Sequence, residues 1–172
     1  MKKHISFLEK NVLFIITTII ITSCSSGLQQ LKNGNFDESI FLSVSRLQNK
    51  PNHQKALVTL KEAYPLAIEE HKRAVRIYEN SNDPFHWEKA LAEYQQLNQI
   101  YEVITRKPAI MQLVGVPQNY ANEAETARQL AADDRYQAGI IAFAHKENRL
   151  AAKDALGQFQ RANDLIDRKS VV

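Results

Sequence analysis

The sequence predicts an all-α fold, and three observations carry that expectation. Beyond residue 35, apolar residues recur at three- and four-residue steps in every long segment. No segment alternates apolar and polar side chains as a half-buried strand would. Clusters of Asn, Pro and Gly interrupt the periodic stretches near 51–52, 80–84 and 108–118.

Residues 1–23 stand apart from this pattern. Lys2 and Lys3 make a basic start, and Val12 to Ile21 is apolar apart from two threonines. A bilayer-spanning helix needs ~20 apolar residues. A core of this shorter length matches a targeting signal, so residues 1–23 are excluded from the fold. Ser25 to Asn35 is short and polar and is expected to be a tether (24–35) leading into the first helix.

In the folded part, 36–168, the first helix carries Phe36, Ile40, Val44 and Leu47, and Pro51-Asn52 ends it. The second, from about Asn52 to Tyr78, has the stripe Leu57, Leu60, Tyr64, Ile68, His71, Val75 and Tyr78. Pro65 inside it removes a backbone donor and predicts a kink. Asp83-Pro84 is a start signal for the third helix, with Asp as cap and Pro in the first turn. That helix points Trp87, Ala90, Leu91, Tyr94, Leu97, Tyr101 and Ile104 to one side. Residues 108–118 hold two prolines and a glycine and predict an irregular apolar connection. The fourth helix, about Asn119 to Lys146, is lined with alanines at 121, 124, 127, 131 and 132, which permit close packing. The fifth, about Leu150 to Arg168, is expected to turn Ala151, Ala155, Leu156, Phe159, Ala162 and Ile166 inward.

Two resemblances add to this reading. Ile21-Thr22-Ser23-Cys24 resembles the lipobox of bacterial lipoproteins. The resemblance implies attachment of diacylglycerol to the Cys24 thiol as a thioether, cleavage before Cys24 and acylation of the new amino terminus with fatty acid such as palmitate. Cys24 is the only cysteine, so it has no intramolecular disulfide partner. Three acyl chains exceed the two signals that stable anchoring takes. Ser25 follows the cysteine, where lipoproteins retained in the inner membrane carry aspartate, and no acidic cluster of the surface-export kind follows. The expected location is the periplasmic face of the outer membrane, with the inner membrane as the alternative.

Gly34-Asn35-Phe36-Asp37-Glu38-Ser39-Ile40 resembles the turn and second-helix start of a tetratricopeptide repeat. Leu57, Leu60 and Tyr64 match the large positions of a following first helix, and Trp87, Ala90, Tyr94 and Leu97 those of its second. Gly139 fits the small position of a further first helix, and Ala155, Phe159 and Ala162 fit its partner. The likeness covers about residues 30–168. The connection at 107–118 and the long second helix depart from the repeat of about 34 residues, and Lys61 stands where glycine is expected. The resemblance implies antiparallel helix pairs stacked as a short solenoid, with a plain helical bundle as the alternative. A stacked solenoid exposes a groove that holds peptide segments. On this alignment it is lined by Lys55, Val58, Glu62 and Leu66 and by Tyr136, Ile140 and Phe143. The terminal Val171-Val172 follows no polar capping helix, so the last helix is expected to dock on a partner or to reflect a shortened repeat array.

Catalysis is not expected. The five histidines lack metal-ligand spacing, and His71 on the inner stripe reads as a half-buried, hydrogen-bonded side chain. Trp87 on a core position should turn His86 and Glu88 toward solvent. Glu69-Glu70 and Asp133-Asp134 read as solvated pairs, since adjacent helical residues do not face each other. No phosphate loop, nucleophile motif or cofactor motif is present. The chain has 22 basic and 19 acidic side chains; removing 1–23 takes away Lys2, Lys3, Lys10 and Glu9, leaving 19 against 18. This mixed, near-neutral balance argues against nucleic acid. The expected role is a non-catalytic scaffold that binds other cell-envelope proteins while held to the membrane through lipid on Cys24. The alternative is a lipoprotein that binds a glycan or another small ligand. Cys24→Ala is expected to block lipidation and leave an uncut precursor, seen as a slower band on a gel of cell extracts.

Overall fold

The computed structural model describes residues 27–167. The expected signal at 1–23, Cys24 and the start of the expected tether lie outside the described residues. Among the described residues the protein is all-α, with seven helices in the order α1 (Gly27–Lys32), α2 (Phe36–Asn49), α3 (Gln54–Glu79), α4 (His86–Thr105), α5 (Pro108–Val114), α6 (Ala121–Phe143) and α7 (Arg149–Asp167). No helix among them is long and apolar enough to cross a membrane. The chain divides within α3, between Tyr64 and Pro65, into two compact units. Helix α3 continues unbroken through Pro65.

In the first unit, α1 occupies residues expected to be tether. Its sequence, GLQQLK, is too short and polar to stand alone. It forms because it packs on α2. The Ser39 hydroxyl donates to the Gly27 carbonyl at 2.8 Å. A Cβ on residue 27 would lie 2.5 Å from Ser43 Oγ and 2.6 Å from the Ser39 carbonyl, so only glycine permits this approach. Gly34, at φ 80°, turns the chain between the two helices. Ile40, Val44 and Leu47 of α2 and Leu60 of α3 are buried, as their spacing predicted, and Ala56 and Ala63, outside the expected stripe, are buried with them.

In the second unit, α4, α6, α7 and the last turns of α3 share one core. It contains Val75, Leu91, Tyr94, Leu97, Tyr120, Ala124, Ala127, Ala131, Ala132 and Leu165, with Ile68 and Trp87 packed at its edge. Helices α4 and α6 are antiparallel: Asn98 near the end of α4 accepts the Tyr120 amide at the start of α6 (2.8 Å), and Glu88 near its start meets Arg135 further along. Helices α6 and α7 also run antiparallel across the turn 144–148. Their crossing is tight: a Cβ on Gly139 would lie 2.6 Å from the Phe159 ring. The Tyr136 ring packs beside the same ring, 5.5 Å between centroids.

Four expectations are corrected by these helices. Residues 108–118 are not wholly irregular, because Pro108 sits in the first turn of α5, where its missing N–H costs nothing. Helix α4 starts at His86, not at Asp83-Pro84, and Asp83 makes no cap; Phe85 precedes the helix in the left-handed region at φ 59°. In α7, Leu156 and Ile166 point to solvent at 57% and 58% exposure, and Leu165 is the buried residue instead. Small residues, Ala155 and Ala162, face the core, so the largest aliphatic side chains no longer mark the inner face. Ala121, at the first position of α6, is likewise exposed. Ala155→Trp is expected to destabilise the fold by about 1–3 kcal/mol or more. Leu156→Trp, one residue along, should leave the thermal midpoint nearly unchanged; differential scanning calorimetry on both variants checks this register.

Candidate functional site

Two features of the second unit are candidates: the outer surface of α6, and the cleft between α3, α4 and α6. Both depend on a polar cluster that holds α4 against α6 and α7.

That cluster centres on Glu88, which was expected to face solvent. Its carboxylate is paired with the Arg135 guanidinium through Oε1 and accepts Arg161 Nη2 at 2.9 Å through Oε2. Arg135 also donates to the Gln158 side-chain oxygen at 2.8 Å, tying α6 to α7. The same guanidinium lies over the Phe85 ring at 3.5 Å from its centroid. This stacking helps to support the left-handed backbone of Phe85, which is rare for a bulky residue. Burial disfavours the charged carboxylate of Glu88, but the hydrogen bonds and charges of Arg135 and Arg161 outweigh it and hold Glu88 below the ordinary carboxylate range.

His86 is also turned away from a solvated role, its Nδ1 lying 2.8 Å from the Tyr78 carbonyl. His71, as expected, is half-buried and hydrogen-bonded, with Nδ1 2.6 Å from Glu93 Oε2. Asp134 departs from its expected solvated state. Its Oδ2 is buried without a hydrogen-bond partner, and desolvation raises its carboxyl above the usual range against the pull of His86. Among the described residues no group of three or more His, Cys, Asp or Glu side chains could hold a metal ion.

The expected groove residues fall in both units. Lys55, Val58 and Glu62 are exposed on the first unit's stretch of α3, Val58 at 54%. Leu66 is exposed on α3 in the second unit. Tyr136, Ile140 and Phe143, spaced four and three apart, share one face of α6 and are about half exposed, at 50%, 45% and 47%. The reason lies on the opposite side of α6. Ala124, Ala127 and Ala131 fill the close contacts there, leaving no room for large side chains. Ile141, on the adjacent flank, is 70% exposed.

The cleft was not anticipated. It encloses about 230 Å³ and is lined by Glu79, Trp87, Tyr94, Asn122, Glu123, Thr126 and Ala127. The Tyr94 hydroxyl donates to Glu79 Oε1 at 2.7 Å. Burial raises the Tyr94 phenol, and the hydrogen bond and charge of Glu79 raise it further, with Glu123 adding to the effect. Tyr120 is raised by burial and by Glu123.

Comparison with protein-family models, with curated proteins and with solved structures finds no match.

The Glu88 cluster gives a pH dependence with a definite sign. A carboxylate held below its unfolded value stabilises the fold above that value and loses the contribution as pH falls through the folded one. Wild type should therefore lose stability more steeply than Glu88→Gln below about pH 4.5, the ordinary value of the group. At pH 7 the same substitution should cost about 1–3 kcal/mol, since two guanidinium groups lose a charged acceptor. Urea denaturation across this pH range tests both.

Proposed function

We propose that this chain is a lipid-anchored protein of the bacterial cell envelope that serves as a non-catalytic docking module for another envelope protein. The observation that carries the docking role is the half-exposed apolar face of Tyr136, Ile140 and Phe143 on α6. Large apolar side chains exposed in a row at helical spacing are what a helix presents when a partner completes its burial. The anchor rests on the lipobox-like Ile21-Thr22-Ser23-Cys24. The tetratricopeptide-like arrangement is supported by the small-against-large crossing of Gly139 on Phe159 and by the burial of Ala155 and Ala162.

The anchor and the fold together set a geometry. Only three residues of reach separate Cys24 from Gly27, where α1 is already pinned to α2, and three extended residues span at most about 10 Å. A lipidated Cys24 would therefore hold the first unit against the headgroups rather than on a long tether. On the sorting signals after Cys24 this is the periplasmic leaflet of the outer membrane.

The double variant Ile140→Asp/Phe143→Asp tests the docking role. Both positions are exposed, so the melting temperature should stay within a few degrees of wild type. Co-purification of the partner from chemically crosslinked membranes should fall by about ten-fold, the effect of losing ~1.4 kcal/mol of binding. Unchanged co-purification would remove this face from the docking role.

A further inference from the structure

The cleft at the start of α6 has a composition that selects its ligand. Three kinds of wall meet there. Trp87 and Tyr94 contribute aromatic surface, and Ala127 a small apolar floor. Glu79 and Glu123 contribute two carboxylates. Among the described residues, neither carboxylate is in a salt bridge with a Lys, Arg or His side chain. Lys89 pairs with Asp83 at 3.5 Å and lies over the Tyr78 ring, and Arg128 pairs with Glu125 at 2.6 Å. The Tyr94 hydroxyl occupies Glu79 Oε1 alone and fixes that carboxylate at the rim, leaving Oε2 to accept from a ligand.

From this we propose that the cleft receives one basic side chain, Lys or Arg, carried on a segment of the docked partner protein. The proposal rests on the docking role proposed above and adds its chemistry. A basic side chain matches every wall. Its charged head meets two carboxylates and the aromatic surface of Trp87 and Tyr94, and aromatic rings attract cations through their quadrupole. Its alkyl stem packs on Ala127 and the aromatic surface, as such stems do on apolar ground. Size agrees: about 230 Å³ is below the ~300–1,000 Å³ of pockets that enclose drug-sized ligands, and suits a single side chain. Asn122 adds a polar side chain to the lining, and the Thr126 hydroxyl donates to the Asn122 carbonyl at 3.0 Å, one turn back on α6.

Trp87 is the only tryptophan in the chain, so intrinsic fluorescence reports on this cleft. The test uses the full-length protein in detergent, titrated with a short alanine-based peptide bearing one lysine, with its arginine and norleucine versions, and with free spermidine. The lysine and arginine peptides should give a saturable Trp87 signal, and the norleucine peptide none. Glu79→Gln and Glu123→Gln should each weaken binding by about five-fold, whereas the remote surface variant Glu147→Gln should leave it unchanged. Circular dichroism melts confirm that each variant is folded. No saturable signal from the basic peptides, or equal affinity in the glutamine variants, overturns the proposal. Spermidine binding more tightly than the peptides would assign the cleft to free amines and overturn the partner side chain as its ligand. Failure here leaves co-purification through Ile140 and Phe143 intact, and failure of that interaction leaves the peptide titration unaffected, so the two ideas fall separately.

Discussion

The second unit depends on how closely α6 approaches α7. At Gly139 the two helices are near enough that a single methyl group would meet the Phe159 ring. Ala155 and Ala162 on the facing helix are buried as well, so the seam is made of the smallest side chains in the chain. Small residues at a crossing let backbones approach and let one large ring fill the remaining groove, which is how interiors reach crystal-like density. Two consequences follow for the rest of the unit. Arg135 on α6 and Arg161 on α7 come within reach of one carboxylate on α4. The large apolar side chains of α6 have no place inside, and Tyr136, Ile140 and Phe143 stand at the surface.

The Glu88 cluster then works as a clasp across three helices. Removing one partner of a part-buried ionic group strands the others, and that asymmetry makes such clusters more costly to break than they are stabilising to form. The clasp also explains a backbone oddity. Phe85 sits in the left-handed region immediately before α4, with its ring stacked under the guanidinium that Glu88 holds. Asp134, one residue before Arg135, has the opposite fate, with one carboxyl oxygen buried and unpartnered.

Local pattern made the long helices readable from residue order alone. The stripes of α2, α3 and α4 fall on the buried side where three- and four-residue spacing put them. Helix α1 was not readable, because a six-residue polar segment has no periodicity and is held by a glycine contact with α2. The face of α7 was misread because its inner positions are alanines, so Leu156 and Ile166 outweighed them in apparent hydrophobicity while Leu165 alone marked the true side. Glu88 was misplaced for a different reason. Its partners are 47 and 73 residues away, and a carboxylate's environment at that separation is a property of the packed fold. Of the site residues, spacing put Tyr136, Ile140 and Phe143 on one face of α6, but Tyr136 and Phe143 also read as core aromatics, and both stand about half exposed. The cleft could not, since Glu79, Trp87 and Glu123 come from three different helices.

An inner seam of small residues packs α6 into the fold, and the half-exposed row Tyr136, Ile140 and Phe143 is the face for which docking is proposed. Site-specific photocrosslinking in living cells tests this division most directly. A photoreactive amino acid is placed at Ile140 on the outer face of α6 and, as a control, at the exposed Gln160 on α7. The account predicts one discrete membrane-associated adduct from Ile140 and none from Gln160. Equal labelling at both positions, or no adduct from Ile140 in cells that process the Cys24 precursor, would contradict it.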